Sequence, residues 1–253
     1  MENLRNSDYW LDYYQTNLQA ERINWSQEPQ ITQEQKAAII PSLRAWQLGE
    51  TSEGHNLRAA TAKYANRHND PVYRDAIDLF IKEEQKHGEN LGKYLDRIGV
   101  PRKKKDVGDS LFRKVRGFAT NMEMWTITVL IIEHAAQVYY QAIKNATNCN
   151  LLSEICTDIL IDEAHHIQFQ RERLSIIFNR KPSWKREVAF FIYHLHFKLT
   201  YRAIWIGHSK ALKEGGYHFG RFKRLMHYKF NLSMEFLQKG VKASLSPVYM
   251  RVW

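Results

Sequence analysis

Residues 118–181 run for 64 positions without a glycine or a proline. A sheet protein needs turn residues every 8–12 positions, so a stretch of this length has to be helical. The whole chain of 253 residues holds 12 Gly and 6 Pro, and few segments alternate with a period of two. Helices are therefore expected throughout, with no strand.

Local signals place the helix ends. A short first helix is predicted over 7–20. Thr32 followed by Gln35 has the form of a capping box and opens a helix that Pro41 should kink or restart. Beyond it Leu43, Trp46, Gln47, Glu50, Glu53/Gly54, Leu57, Ala60/Thr61 and Tyr64 recur at helical spacing, which carries that helix to about Asn66. Asp70-Pro71 reads as an N-cap with proline in the first turn, and Gly99 and Pro101 end that helix near Ile98. Residues 99–116, with a lysine run at 103–105, form a charged connector with room for one or two helical turns. Further helices are expected over about 117–145, 151–178, 183–212 and 218–238, separated by the turn NATNCN, by Lys181-Pro182-Ser183 and by Gly215-Gly216.

Four long helices thus arrive as two hairpins joined by a connector. That pattern predicts an all-α, single-domain chain over 1–253. A four-helix bundle spans about 33–178, with a crossover between its second and third helices, an N-terminal helix before it and two appended helices over about 180–253. The longest uncharged stretches, such as VAFFIYHLHF, are about half the roughly 20 residues a membrane helix needs. MENLRNSDYW has no apolar core of a signal peptide, and Cys149 and Cys156 are too few for a disulfide framework, so a cytoplasmic location with free thiols is expected. No phosphate-cradling glycine loop is present.

Two Glu-x-x-His pairs carry the chemistry. One predicted helix holds Glu83-Glu84-Gln85-Lys86-His87, and another holds Asp162-Glu163-Ala164-His165-His166. Glu84 and His87, like Glu163 and His166, are three apart and share a helix face, so each pair can offer a carboxylate oxygen and an imidazole nitrogen to one metal ion. Composition alone gives about 0.7 such pairs by chance, so their placement matters more than their number. Each pair is preceded by a helix with a Glu at a similar separation: Glu133 lies 30 residues before Glu163 and Glu53 lies 31 before Glu84. Residues equally far from the turn of an antiparallel hairpin sit at one height, so four carboxylates and two imidazoles should converge. Turn symmetry favours Glu53 on the first bundle helix. Glu50, one turn earlier, stands near the height of His87 and is the alternative or an additional ligand. Four buried carboxylates require countercharge. Two divalent cations balance them with both His neutral, and the oxygen-rich set suits iron or manganese. His55 and His134 should face away from this level, and His194 and His196, two apart, are poor co-ligands.

The order Glu, Glu-x-x-His, Glu, Glu-x-x-His over about residues 43–170 resembles the ferritin-like di-iron carboxylate superfamily. EEQKH and DEAHH look like the (Asp/Glu)-Glu-x-(Arg/Lys)-His signature of its oxygenase and ribonucleotide-reductase-like branches. The resemblance implies a centre of two Fe ions, with Mn as the alternative, and Asp162 and Glu83 as partners that hydrogen-bond the ligand histidines. His165 departs from the usual Arg. Tyr139, Tyr140 and Tyr64 lie within two turns of ligand positions, where relatives can use a tyrosine as a radical site or hydrogen-bond donor; a plain core role is the simpler reading. The implied function is a non-haem oxidase or oxygenase that activates O2 with electrons from a donor the residues do not specify. A homodimer is a compatible assembly. An iron-oxidising, iron-storing protein is the alternative within the class.

Charge supplies a reading of another class. Residues 1–179 carry 22 basic and 24 acidic side chains, whereas residues 180–253 carry 15 and 3, so the net charge of +10 resides in the C-terminal segment. There Lys185, Arg186, Lys198, Arg202, Lys210 and Lys213 alternate with Phe190, Phe191, Tyr193, Phe197, Tyr201 and Trp205. Arg221, Lys223, Arg224 and Lys229 then alternate with Phe219, Phe222, Tyr228 and Phe230. Basic and aromatic residues so interleaved can bind RNA, an anionic membrane surface, or an anionic or carrier-linked substrate. Equally, the aromatics can cover the bundle and leave the charges solvated.

Overall fold

The computed structural model describes residues 4–104 and 121–239, and every regular element among them is helical. The helices are α1 (Ser7–Asn17), α2 (Gln33–Glu50), α3 (His55–His68), α4 (Pro71–Arg97), α5 (Met122–Asn145), α6 (Asn150–Asn179), α7 (Ser183–Glu214) and α8 (Phe219–Lys239). Residues 117–120 at the expected start of the third bundle helix, the connector from Lys105 to Arg116 and the terminal 240–253 lie outside the described residues.

The end signals act as their chemistry dictates. Thr32 and Gln35 exchange the two hydrogen bonds of a capping box, and the Asp70 carboxylate accepts from Tyr73 N at 3.1 Å just before Pro71. Two expectations for the first bundle helix need correction. Pro41 does not restart it, because α2 runs through it. Proline frees the carbonyl four residues back, that of Ala37, and Lys210 Nζ donates to that oxygen at 2.8 Å. The helix does not reach Asn66 unbroken either. It stops at Glu50, and α3 starts at His55 after Gly54, which sits in the left-handed region at φ 64°. The left-handed φ at Gly54 favours glycine, and a Cβ there would also lie 2.7 Å from Ile81 Cδ1 of α4.

The bundle consists of α2 and α3 laid end to end against α4, and of α5 packed along α6. Leu130, Ile131, Ala135, Ile143, Leu151, Leu152, Ile155 and Ile159 fill the seam between α5 and α6. Each large apolar side chain buried this way contributes about 1.5–3 kcal/mol. α1 lies on α4, where Trp10 and Tyr14 pack with Phe80 and Phe169, and Trp10 Nε1 donates to Glu172 at 2.9 Å. α7 covers α2 and α5, and α8 covers α5 and α6. Several aromatics of the C-terminal segment are core: Tyr193, Phe197, Tyr201, Phe222 and Phe230 are buried, with Phe197 and Phe230 stacked at 4.1 Å. Both cysteines are buried free thiols.

Candidate metal centre

Mid-bundle, α4, α5 and α6 each present acidic or imidazole groups to one point. Among the described residues, Glu84, Glu133, Glu163 and His166 each bring a donor atom within 4.8 Å of the others. His166 Nδ1 lies 2.8 Å from Glu84 Oε1 and 3.7 Å from Glu163 Oε2. His87 stands beside His166 with ring centroids 5.7 Å apart. From α2, Glu50 enters as the last residue of its helix; it is buried, faces Glu84 and accepts a hydrogen bond from Tyr140 Oη at 2.7 Å. Glu53 is exposed in the break between α2 and α3. The height argument that favoured it assumed an unbroken helix, so on the first bundle helix the residue brought to the centre is Glu50.

Close approach of Glu50 depends on Gly88. A Cβ there would sit 2.7 Å from Thr51 Cγ2, 3.0 Å from Thr51 N and 3.2 Å from the Glu50 carbonyl carbon. Without that side chain the end of α2 can lie directly on α4, beside His87.

The outer nitrogen of each imidazole is held by a carboxylate from the opposite helix. His87 Nε2 is 3.0 Å from Asp162 Oδ2, and His166 Nε2 is 2.7 Å from Glu83 Oε2. Asn17 Nδ2, at the end of α1, donates to Glu83 Oε1 at 2.6 Å and to Asp162 Oδ1 at 2.8 Å. Arg22 then donates to Asp162 at 2.9 Å and to Asp158 at 2.6 Å. Arg22 thus brings a cation to the outer carboxylates, while His165 stacks on Tyr13 with centroids 4.6 Å apart. Asn17 and Arg22 carry no sequence signal, since Asn17 lies 66 positions before Glu83 and Arg22 lies 136 before Asp158. Asp158, one turn before Asp162, could have been found from helical spacing.

With Nε2 engaged, each imidazole turns Nδ1 inward. The Nδ1 atoms of His87 and His166, Glu84 Oε1 and both carboxylate oxygens of Glu163 are buried without a well-oriented hydrogen-bond partner. Leaving one such atom unpaired costs about 1–3 kcal/mol, and His166 Nδ1 meets only the carboxylates of Glu84 and Glu163. A pair of divalent cations would engage all five at once, so the donor set fits the metals its chemistry implies.

Electrostatics agree. Burial, reinforced by the neighbouring Glu84, lifts the Glu50 carboxyl well above its ordinary value. Burial and Glu163 do the same to Glu133, and burial pushes Glu163 up to about 7. Burial opposes the charged form of His87, but Asp162 and Glu84 outweigh it and push its pKa up to about 9. Asp162, although buried, is held well below the usual carboxylate range by His87 and Asn17. The centre thus favours protonated acids, and bound cations would have to displace those protons.

The other candidates lie apart. Tyr139 accepts a hydrogen bond from Ser42 at 3.0 Å and stacks on Trp46. Tyr64 packs against Tyr73 and His68. His55 is exposed, His134 contacts Ser233 of α8 at 3.2 Å, His196 contacts Thr128 of α5 and His194 bonds within its own helix.

No family model and no curated protein matches the chain. Solved structures do. An R2-like ligand-binding oxidase with an aerobically reconstituted Mn/Fe cofactor superposes with a TM-score of 0.68 at 17% identity, over 93% of this chain and 93% of that one. An R2-like ligand-binding oxidase without metal cofactor gives 0.64 at 15%, over 94% and 97%. At such identities the likeness speaks for architecture alone: the chain has the ferritin-like helical fold found in the R2-like ligand-binding oxidases.

Proposed function

We propose that this chain is a non-haem oxidase or oxygenase that activates O2 at a dinuclear centre held by Glu50, Glu84, His87, Glu133, Glu163 and His166. The observation that carries this reading is the set of five buried donor atoms that converge on one point without a well-oriented hydrogen bond from the protein. When bound there, two ferrous ions, or a manganese and an iron as reconstituted in the structural neighbours, would supply the electrons for reducing dioxygen. Glu83 and Asp162 fix the imidazole orientations, so both Nδ1 atoms would be the ones available to hold metals. Glu84 is the most solvent-reachable of the carboxylates around His166, with 17% of its side chain exposed against none for Glu163. It is therefore the carboxylate freest to change its mode of coordination as charge builds. Tyr140 Oη donates to Glu50 and can keep one of its oxygens from turning away. Phe80 lies edge-on to the His166 ring with centroids 4.8 Å apart and shields that side of the centre from water.

Oxygen uptake by protein loaded anaerobically with iron, or with iron and manganese, tests the reading. Rapid uptake with a transient metal-to-oxygen absorption band supports it. Loaded protein that consumes oxygen no faster than the same ions in buffer contradicts it. A storage role predicts hundreds of irons per assembled shell, so the iron-to-protein ratio after repeated aerobic loading separates the two.

A further inference from the structure

Helix α7 is apolar on both faces. Tyr193, Phe197, Tyr201 and Ile204 point into the bundle and are buried. On the opposite face Trp184, Val188, Phe191, Leu195, Leu199 and Ile206 follow one another at helical spacing and are exposed, Trp184 by 62%, Phe191 by 70% and Ile206 by 79%. A helix apolar all round is normally covered all round, and a contiguous exposed stripe of this kind marks a contact surface.

The charges around the stripe select what covers it. From Ser183 to Arg224 the exposed charged side chains are eight cations against two carboxylates, Glu187 and Glu214. Lys198, Arg202 and Lys213 stand on the same outward face as the stripe. A second copy would bring the same excess of positive charge to the contact. RNA matches the charge, but it is recognised through stacking and hydrogen bonds, for which Val188, Leu195, Leu199 and Ile206 are unsuited. An anionic phospholipid surface matches both features: the apolar stripe enters the acyl boundary and the basic side chains reach the headgroups. Among the described residues no helix is long and apolar enough to cross a membrane, so α7 would lie along the surface.

We propose that the outward face of α7 docks this protein on anionic phospholipid membranes. The test is co-flotation of the full chain with vesicles of phosphatidylcholine alone and of phosphatidylcholine mixed with phosphatidylglycerol. The wild type should float with the mixed vesicles, bind the neutral ones at least about tenfold less, and detach as salt rises. Phe191→Glu/Leu199→Glu should lower binding about tenfold or more, and so should Lys198→Gln/Arg202→Gln. Circular dichroism checks that each variant is folded, and the milder Leu199→Ser is read in place of the double variant if that one fails to fold. No binding to mixed vesicles at low salt overturns the proposal, as does equal binding by folded variants. A wild-type dimer that Phe191→Glu/Leu199→Glu turns into a monomer, with no vesicle binding, assigns the face to a second copy and overturns it too. Salt-sensitive RNA binding unaffected by Phe191→Glu/Leu199→Glu, again without vesicle binding, does the same.

Discussion

His166 Nε2 on α6 lies 2.7 Å from the Glu83 carboxylate on α4, and the relationship is reciprocal: His87 on α4 is held by Asp162 on α6. Each helix therefore orients the imidazole that the other presents. The acid before each candidate ligand Glu belongs to the opposite half of the centre, which locks the two hairpins in register at the height of the site.

This cross-bracing can be probed without touching a ligand. Asp162→Asn keeps a hydrogen-bonding group beside His87 but removes the charge that fixes its tautomer. Metal affinity should fall by about 10–100-fold, measured by competition with a chelating dye. Asn17→Ala leaves Glu83 and Asp162 without a shared donor and should destabilise the protein by about 1.5–3 kcal/mol in denaturant titrations. Unchanged affinity in Asp162→Asn would contradict the orienting role.

Glu50 and Glu53 make opposite predictions. Glu50→Gln should lower the metal content of the isolated protein, because a buried carboxylate is lost from the centre. Glu53→Gln should leave metal content unchanged and stability within about 0.5 kcal/mol, as expected at an exposed position. Elemental analysis of the two variants, prepared side by side, checks the assignment.

Gly88→Ala should be harmful for a steric reason. Its methyl would meet Thr51 and the Glu50 backbone at 2.7–3.2 Å, so α2 must shift and carry Glu50 with it. A loss of about 1–3 kcal/mol is expected, together with weaker metal binding. Gly49→Ala meets nothing within 4 Å and should be neutral or stabilising by up to about 1 kcal/mol through helix propensity.

The metal-free protein should lose stability as pH rises. Glu50, Glu133 and Glu163 have folded-state pKa values raised above their unfolded values, Glu163 to about 7. Each binds its proton more tightly when folded, so its contribution is complete below the unfolded value and disappears as pH passes the raised one. His87, raised to about 9, works in the same direction over a higher range, its contribution fading as pH climbs toward that value. Metals displace these protons, so the stabilisation they confer should grow from pH 5 to pH 8. Thermal melts with and without metal across that range read both slopes; a melting temperature of metal-free protein that rises with pH contradicts the electrostatic picture.

The all-helical architecture was legible in the sequence because helix ends are written locally: Thr32 with Gln35, Asp70 with Pro71, and Gly215-Gly216 each act within one turn. The convergence of acids and imidazoles was legible because hairpin geometry converts sequence distance into height. Glu53 misled because the chain breaks at Gly54, which takes a left-handed φ of 64°, while the periodicity of Leu57 and Tyr64 continues across the break. Asn17 and Arg22 were hidden for a related reason, since nothing local to α1 says which carboxylates it will meet. For α7, spacing alone could not separate the aromatics that enter the core from the apolar residues left outside, because both faces repeat at the same period.

The central claim is that four carboxylates and two imidazoles hold two metal ions. Metal analysis of anaerobically reconstituted protein, wild type beside Glu84→Ala/Glu133→Ala/Glu163→Ala, tests it most directly. Close to two ions per chain in the wild type and close to none in a folded triple variant is the expected result. Two ions retained by the triple variant, or none bound by the wild type, would contradict it.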